Sequence, residues 1–291
     1  MGQRQAKFIW QNFKNHCSKK KRGVVKGFFR WVFKFIVSIV VIISSFFILG
    51  AYVYTDGIPV ASDYFIDSLP ESVAEDLGKE LRNDILSKYD IDNYKTDKTN
   101  EFIKKLNFDK KVKVYVIKSR QFNAFATPGK YIFVYSGVFD KLNSYEELAG
   151  LLSHEYTHID KNHGLRSVGR SFGYEIFTSV FLSNDLKDQI FDNSNMLINL
   201  EYSRAFEKEA DLNSVNLMQK ENIDVNGMLS LLKIMREIEP KRISSSELSD
   251  HPNTIERIEY IEESIEKIEN NSVTNYELET LFEEIKNNSG K

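Results

Sequence analysis

The chain has 291 residues, a formal net charge of −3 and a single cysteine, Cys17. One cysteine excludes an internal disulfide, so stability has to come from a hydrophobic core and from any metal the fold holds. No internal repeat and no long Pro- or Gly-rich linker divides the sequence.

The charge is unevenly spread. Residues 1–34 hold ten Lys or Arg and no acid, which leaves −13 on residues 35–291. Residues 35–54 contain no charged side chain and are dominated by Ile, Val and Phe. A helix of that length spans about 30 Å, one hydrocarbon core. Hydrophobicity all round it argues against a buried core helix. The run is too long for the apolar part of a signal peptide, and no small-x-small cleavage pattern follows Gly50. Residues 35–55 therefore read as an uncleaved transmembrane anchor for a single-pass protein. Basic residues flanking a span stay inside. Residues 1–34 are then a cytoplasmic arm, and the acidic body is extracytoplasmic, periplasmic or equivalent. Beside a span, basic residues serve topology and attraction to anionic lipid, so membrane lipid is an expected partner and nucleic acid is not. Phe8, Trp10, Phe13 and the stretch from Phe28 to Phe33 place part of the arm in the membrane interface.

Beyond the anchor, about 235 residues suffice for one domain with a full core. Residues 56–110 form a helical juxtamembrane segment, with an amphipathic stretch over 72–89. Residues 111–118 alternate and predict a strand, and residues 130–135 predict a second. A helix follows over 145–162. Ser144 and Glu147 read as a capping box, Leu148, Leu151, Leu152, Tyr156 and Ile159 make an apolar face, and His163-Gly164 is a stop signal. Leu165, Val168, Phe172, Ile176 and Val180 mark another helix, too short and too polar at its edges to cross a membrane. Val225, Met228, Leu232 and Met235 mark the next, and Ile255, Ile258, Ile261, Ile265 and Ile268 one more. Residues 271–291 are an acidic tail, either a last helix or frayed.

The helix over 145–162 carries the chemistry. His154-Glu155-Tyr156-Thr157-His158 is an H-E-x-x-H sequence. Helical spacing sets the two imidazoles one turn apart on one face, where a single Zn2+ takes both. Glu155 then lies beside the open coordination position, placed to act as general base toward an attacking water. The extended pattern with Gly at 161 and His at 164 is absent, since those positions are Lys161 and Gly164. His163 falls off the ligand face and reads as a satisfied helix-end histidine. A third ligand is sought in Glu201-Tyr-Ser-Arg204-Ala-Phe-Glu207-Lys-Glu209-Ala-Asp211. Arg204, Glu207 and Asp211 share one helix face, and Glu209 points away. Glu207 as ligand leaves Asp211 one turn on, able to accept the other N–H of a ligating histidine, with Arg204 neutralising part of the cluster.

These segments come in a recognisable order. Asn123-Ala-Phe-Ala-Thr-Pro-Gly129 and the strand after it, the helix around His154, Ser203-Arg204-x-x-Glu207-x-x-Ala210-Asp211, and His251-Pro252-x-x-x-x-Arg257 resemble the HtpX and CAAX-prenyl-protease type of gluzincin zinc metallopeptidase. The resemblance covers residues 112–257. It implies an α+β fold: a mostly α-helical zincin-type metalloprotease domain with a small β-sheet, at 111–270, preceded by one transmembrane helix. It implies one zinc per chain held by His154, His158 and Glu207. The expected activity is a membrane-anchored zinc endopeptidase in extracytoplasmic quality control, cutting unfolded or misfolded proteins. Tyr131, Ile132, Phe133 and Val134 resemble the family strand beside the active-site helix, and are expected to offer an open edge to substrate. His251 is expected near the cleft, as an oxyanion donor, as a plug on the open zinc position, or as a turn residue. The alternative reading is an inactive, zinc-stabilised scaffold or chaperone-like module. Glu155 weighs against it, because a structural site needs no base.

Overall fold

The computed structural model describes residues 2–53, 57–68, 71–109, 111–167, 202–238, 254–268 and 272–287. The chain divides into two compact units, residues 1–58 and 59–291. The first is dominated by one helix, α1 (Gly2–Tyr52), so the basic arm and the apolar run are continuous. Within it, Phe33–Tyr52 is long and apolar enough to cross a membrane, and its side chains are exposed.

The second unit is mostly helical with one small sheet. After α2 (Ile58–Ser68) and α3 (Glu71–Lys88) comes α4 (Asn93–Lys104), whose first turn is capped by the Asp92 carboxylate accepting from the Lys95 N–H. Then follow β1 (Lys113–Ile117), β2 (Ala124–Thr127) and β3 (Tyr131–Tyr135). The two strands expected from alternation are β1 and β3, and β2 is an addition.

Sheet order is β1-β3-β2, with β1 parallel and β2 antiparallel to β3. Period-two geometry sorts the side chains. Tyr115, Phe125, Phe133 and Tyr135 join Ile85 of α3 on one face. Val114, Val116, Ala124, Ala126, Ile132 and Val134 enter the main core on the other. Phe133 stacks on Tyr115 at 5.5 Å and on Phe125 at 5.1 Å, as the register Tyr115↔Phe133 and Phe125↔Phe133 requires.

This order overturns one expectation. Tyr131, Ile132, Phe133 and Val134 are not an open edge, because β3 is the central strand and its backbone is paired on both sides. The borders are β1 and β2. The border of β1 is closed by α4. Asn100 accepts from the Val114 N–H at 3.0 Å and donates to the Val114 carbonyl at 2.8 Å, and Thr96 accepts from the Val116 N–H at 2.9 Å.

The turn between β2 and β3 puts both Gly129 (φ 78°) and Lys130 (φ 71°) in the left-handed region. α3 lies directly on this turn. A Cβ on Gly78 would stand 2.0 Å from the Pro128 carbonyl oxygen, so only glycine fits there. Lys130 pairs with Glu71 at 2.7 Å and Glu75 at 3.2 Å, which ties the turn to the start of α3.

The remaining helices are α5 (Tyr145–Asp160), α6 (Arg204–Lys220), α7 (Asn226–Ile238), α8 (Thr254–Ile265) and α9 (Tyr276–Asn287). Ser144 is the N-cap of α5 but makes no side-chain cap bond. Glu147 instead accepts from the Asn143 N–H and from the Ser230 hydroxyl of α7. The stop also differs from expectation: Asn162 turns left-handed (φ 54°), and residues 163–167 are helical again. Most of the helix expected from Leu165 to Val180 lies outside the described residues. The acidic tail contains α9, which inserts Leu278, Leu281, Phe282 and Ile285 into the main core.

Candidate metal centre

α5 and α6 build the centre between them. α5 is buried almost throughout, and its two histidines turn inward one helical turn apart. Their Nε2 atoms stand 3.0 Å from each other. The N-cap of α6 is Ser203, whose hydroxyl accepts from the Phe206 N–H, and this cap sets Glu207 in the first turn. Glu207 Oε1 is 3.5 Å from His158 Nε2, and Oε2 is 3.7 Å from His154 Nε2. All three side chains are buried. Glu155, the residue after His154, is 1% exposed.

The donor set fits zinc. Two imidazoles and a carboxylate bring their ligand atoms within 4.8 Å of one another. Donors sharing one ion with bonds of about 2.0–2.2 Å stand about 3.3 Å apart at the tetrahedral angle, and the Nε2–Nε2 separation of 3.0 Å and the Glu207 Oε1–His158 Nε2 separation of 3.5 Å bracket that figure. Asp211 Oδ1 lies 2.8 Å from His154 Nδ1, which places the ring proton there and leaves Nε2 as a bare lone pair.

Behind the ligands is a second layer. Arg257 of α8 donates to both Asp211 oxygens at 2.8 and 2.7 Å and reaches Glu207 Oε2 at 2.8 Å. Tyr260 also donates to Asp211. Burial pushes the Asp211 carboxyl up, but Arg257 and His154 more than offset it and hold the group well below the usual carboxylate range. Burial pulls Arg257 down, yet Asp211 and Glu207 keep it above its ordinary value. Burial, with Asp211 next, raises the Tyr260 hydroxyl.

The other ligand has a different partner. His163 is fully buried, and its Nδ1 is 3.0 Å from His158 Nδ1. Its Nε2 faces Glu209 at 3.3 Å. Burial pushes the His163 ring down to about 4, against the upward pull of Glu209. Tyr202 stacks on His158 at 3.9 Å, and Phe206 stacks on His163 at 4.2 Å, so both rings are clamped.

The structure thus brings together His154, His158, Glu207 and Asp211 as their spacing predicts. Arg204 does not join them: it is exposed, and faces Glu256 at 3.8 Å. Arg257 supplies the positive charge instead. Glu209 does not point away, since it turns back to His163. His251 lies outside the described residues. The sequence reading missed Arg257, Tyr260 and the pair His163–Glu209. The signal for Arg257 was its place in the H-P-x-x-x-x-R segment.

A cavity of about 270 Å³ opens beside His158, walled by Ala126 and Thr127 of β2, Ile159, and residues of α2 and α3. The Thr127 hydroxyl is buried in that wall without a partner among the described residues.

Residues 92–265 match Peptidase family M48. The chain is similar to the metalloprotease YcaL of Escherichia coli K12, with 30% identity over 159 residues, 53% of this chain and 61% of the relative. It is also similar to the mitochondrial metalloendopeptidase OMA1 of Schizosaccharomyces pombe, at 32% over 163 residues, 53% of this chain and 47% of the relative. A third relative is the metalloprotease LoiP of E. coli K12, at 28% over 155 residues, 51% of this chain and 60% of the relative. The chain thus spans about half to three-fifths of the length of these relatives.

Proposed function

We propose, since the chain belongs to Peptidase family M48, that it is a zinc-dependent endopeptidase anchored in a membrane by Phe33–Tyr52, its body on the extracytoplasmic side, cutting unfolded or misfolded proteins. The observation that carries this reading is the buried cluster of His154, His158 and Glu207, with Glu155 on the same helix. His154, His158 and Glu207 would hold the zinc. Bound there, zinc supplies Lewis acidity that polarises the scissile carbonyl and acidifies the attacking water. Glu155 accepts that water's proton and returns it to the leaving amine. Asp211 holds His154 in the tautomer that ligates, and Arg257 holds Asp211 and Glu207.

An extended substrate backbone pairs along the outer border of β2, since Asn100 and Thr96 close the border of β1. A substrate side chain enters the cavity beside His158, where the Thr127 hydroxyl awaits a partner. Backbone pairing is tolerant of sequence, which suits unfolded substrates. The inactive-scaffold reading is not favoured. A structural zinc takes four protein ligands, whereas the described residues offer three beside a buried glutamate.

The test is cleavage of an unfolded protein by the full chain, with and without chelator, beside metal analysis. Glu155→Gln is expected to keep one zinc per chain and lose about 10²–10⁴-fold in turnover. Glu207→Ala is expected to lose the metal. Undiminished turnover in Glu155→Gln would sink the assignment.

A further inference from the structure

His154 is oriented by a carboxylate, but His158 faces a second ring, and that difference has chemical content. We propose that Glu209 and His163 form a one-directional hydrogen-bond relay that fixes the tautomer of His158, so that His158 Nε2 is always presented to the metal as a lone pair. The proposal rests on the zinc-site reading above and adds two positioning residues to it.

The proton placement follows from the atoms. A carboxylate only accepts, so the hydrogen between Glu209 Oε2 and His163 Nε2, 3.3 Å apart, belongs to His163. A neutral imidazole carries one N–H, so His163 Nδ1 is then a lone pair. That atom stands 3.0 Å from His158 Nδ1, so the donor across this contact is His158. His158 has then spent its one hydrogen on Nδ1 and its Nε2 is bare. Nε2 is the atom that faces His154 Nε2 and Glu207 Oε1. The opposite tautomer of His163 would place the hydrogen of His158 on Nε2 and block the ligand. Glu209 thus selects, two rings away, the form that binds metal.

The surroundings keep the relay in register. The left-handed turn at Asn162 swings His163 back under α5, where Phe206 clamps its ring within 13° of parallel. Tyr202 clamps His158 within 21°. Glu209 and Asp211 are two residues apart on α6 and serve the two ligands by separate routes. Asp211 is direct and fully buried. Glu209 is indirect, and its side chain is 41% exposed.

Two side-chain isosteres separate a relay from simple packing. The Asn amide oxygen stands roughly where His Nδ1 stands, and the Gln amide roughly where Nε2 stands. In the full chain in detergent micelles, zinc affinity is measured by competition with a chelator. Loss of such an outer partner costs about 10–100-fold. His163→Phe, which keeps the stack on Phe206, is expected to lose that much. His163→Asn is expected to recover most of it, because it still accepts from His158, and His163→Gln is expected to behave like Phe. Equal affinities for Phe and wild type, or for Asn and Gln, would overturn the relay. Nitrogen NMR of 15N-histidine-labelled, zinc-free wild type needs no variant. Its expected result is His158 protonated on Nδ1, with Glu209→Gln giving a mixture of tautomers. A hydrogen on His158 Nε2 in the wild type would refute the proposal. A wild type that binds no zinc would sink the peptidase reading instead, and the tautomer measurement would still decide the relay.

Discussion

Arg257 shows how much one side chain has to balance at this centre. Its guanidinium is 3% exposed, donates to both Asp211 oxygens and forms an ion pair with Glu207 Oε2. By occupying Oε2 it leaves Glu207 Oε1 facing His158. Removing one partner of a buried charge cluster costs about 3–5 kcal/mol, because the remaining charges have no compensation. Arg257→Met is therefore expected to lower the stability of the zinc-free chain by about that amount in urea unfolding. Arg204→Ala, at an exposed position, is expected to stay within about 0.5 kcal/mol. The reverse ranking would return the neutralising role to Arg204. Much of this site was legible: i,i+4 spacing put His154 with His158 and Glu207 with Asp211. Arg204 shares that spacing, but a helix face is wide, and spacing does not tell which part of it meets the neighbouring helix. Arg257 arrives from another helix 46 residues beyond Asp211, and no local rule links the two. His163 reads as a satisfied helix-end histidine and stays out of the ligand set, as expected; spacing does not name its partners, His158 and Glu209, because the helix breaks at Asn162.

The elements around the site are positioned by side chains acting as backbone. Asn100 of α4 gives β1 one donor and one acceptor, as a fourth strand would, and so seals a border that otherwise invites pairing with another chain. Asn100→Leu keeps the bulk and removes both bonds. Each unsatisfied backbone group costs about 1–3 kcal/mol. The variant is expected to melt lower and to aggregate on heating before the wild type does, measured by scanning calorimetry with light scattering. An unchanged midpoint and unchanged scattering would mean that another group covers this border. Alternation in β1 and β3 was readable because it reports which face a residue takes. It carries no information about which strand lies beside which, so β3 was read as an edge. β2 escaped notice because Ala-Phe-Ala-Thr is only four residues long, and all four are buried, so no apolar-polar alternation marks it. It is held in place by the left-handed turn at Gly129 and Lys130 and by the contact of Gly78 with that turn.

Across the whole chain, charge and hydropathy divide labour between the two units. Ten basic residues precede the apolar stretch and a net −13 follows residue 34. The second unit has a core of its own, closed by α9 at its far end. Among the described residues, the buried members of that core run from Phe102 to Ile285, and the first unit's proposed role is that of an anchor. The expected orientation, arm inside and body outside, rests on the cost of moving a cluster of Lys and Arg across a bilayer. The single cysteine makes it measurable. Cys17 lies in the basic arm, and the second unit has none. In intact cells expressing the wild-type chain, a membrane-impermeant maleimide is expected to leave Cys17 unlabelled until the membrane is opened. In a Cys17→Ser background, Val273→Cys places a thiol at a site that is 72% exposed on the second unit. That thiol is expected to label before lysis. Labelling of Cys17 alone in intact cells would invert the topology and move the proposed proteolysis to the cytoplasmic side.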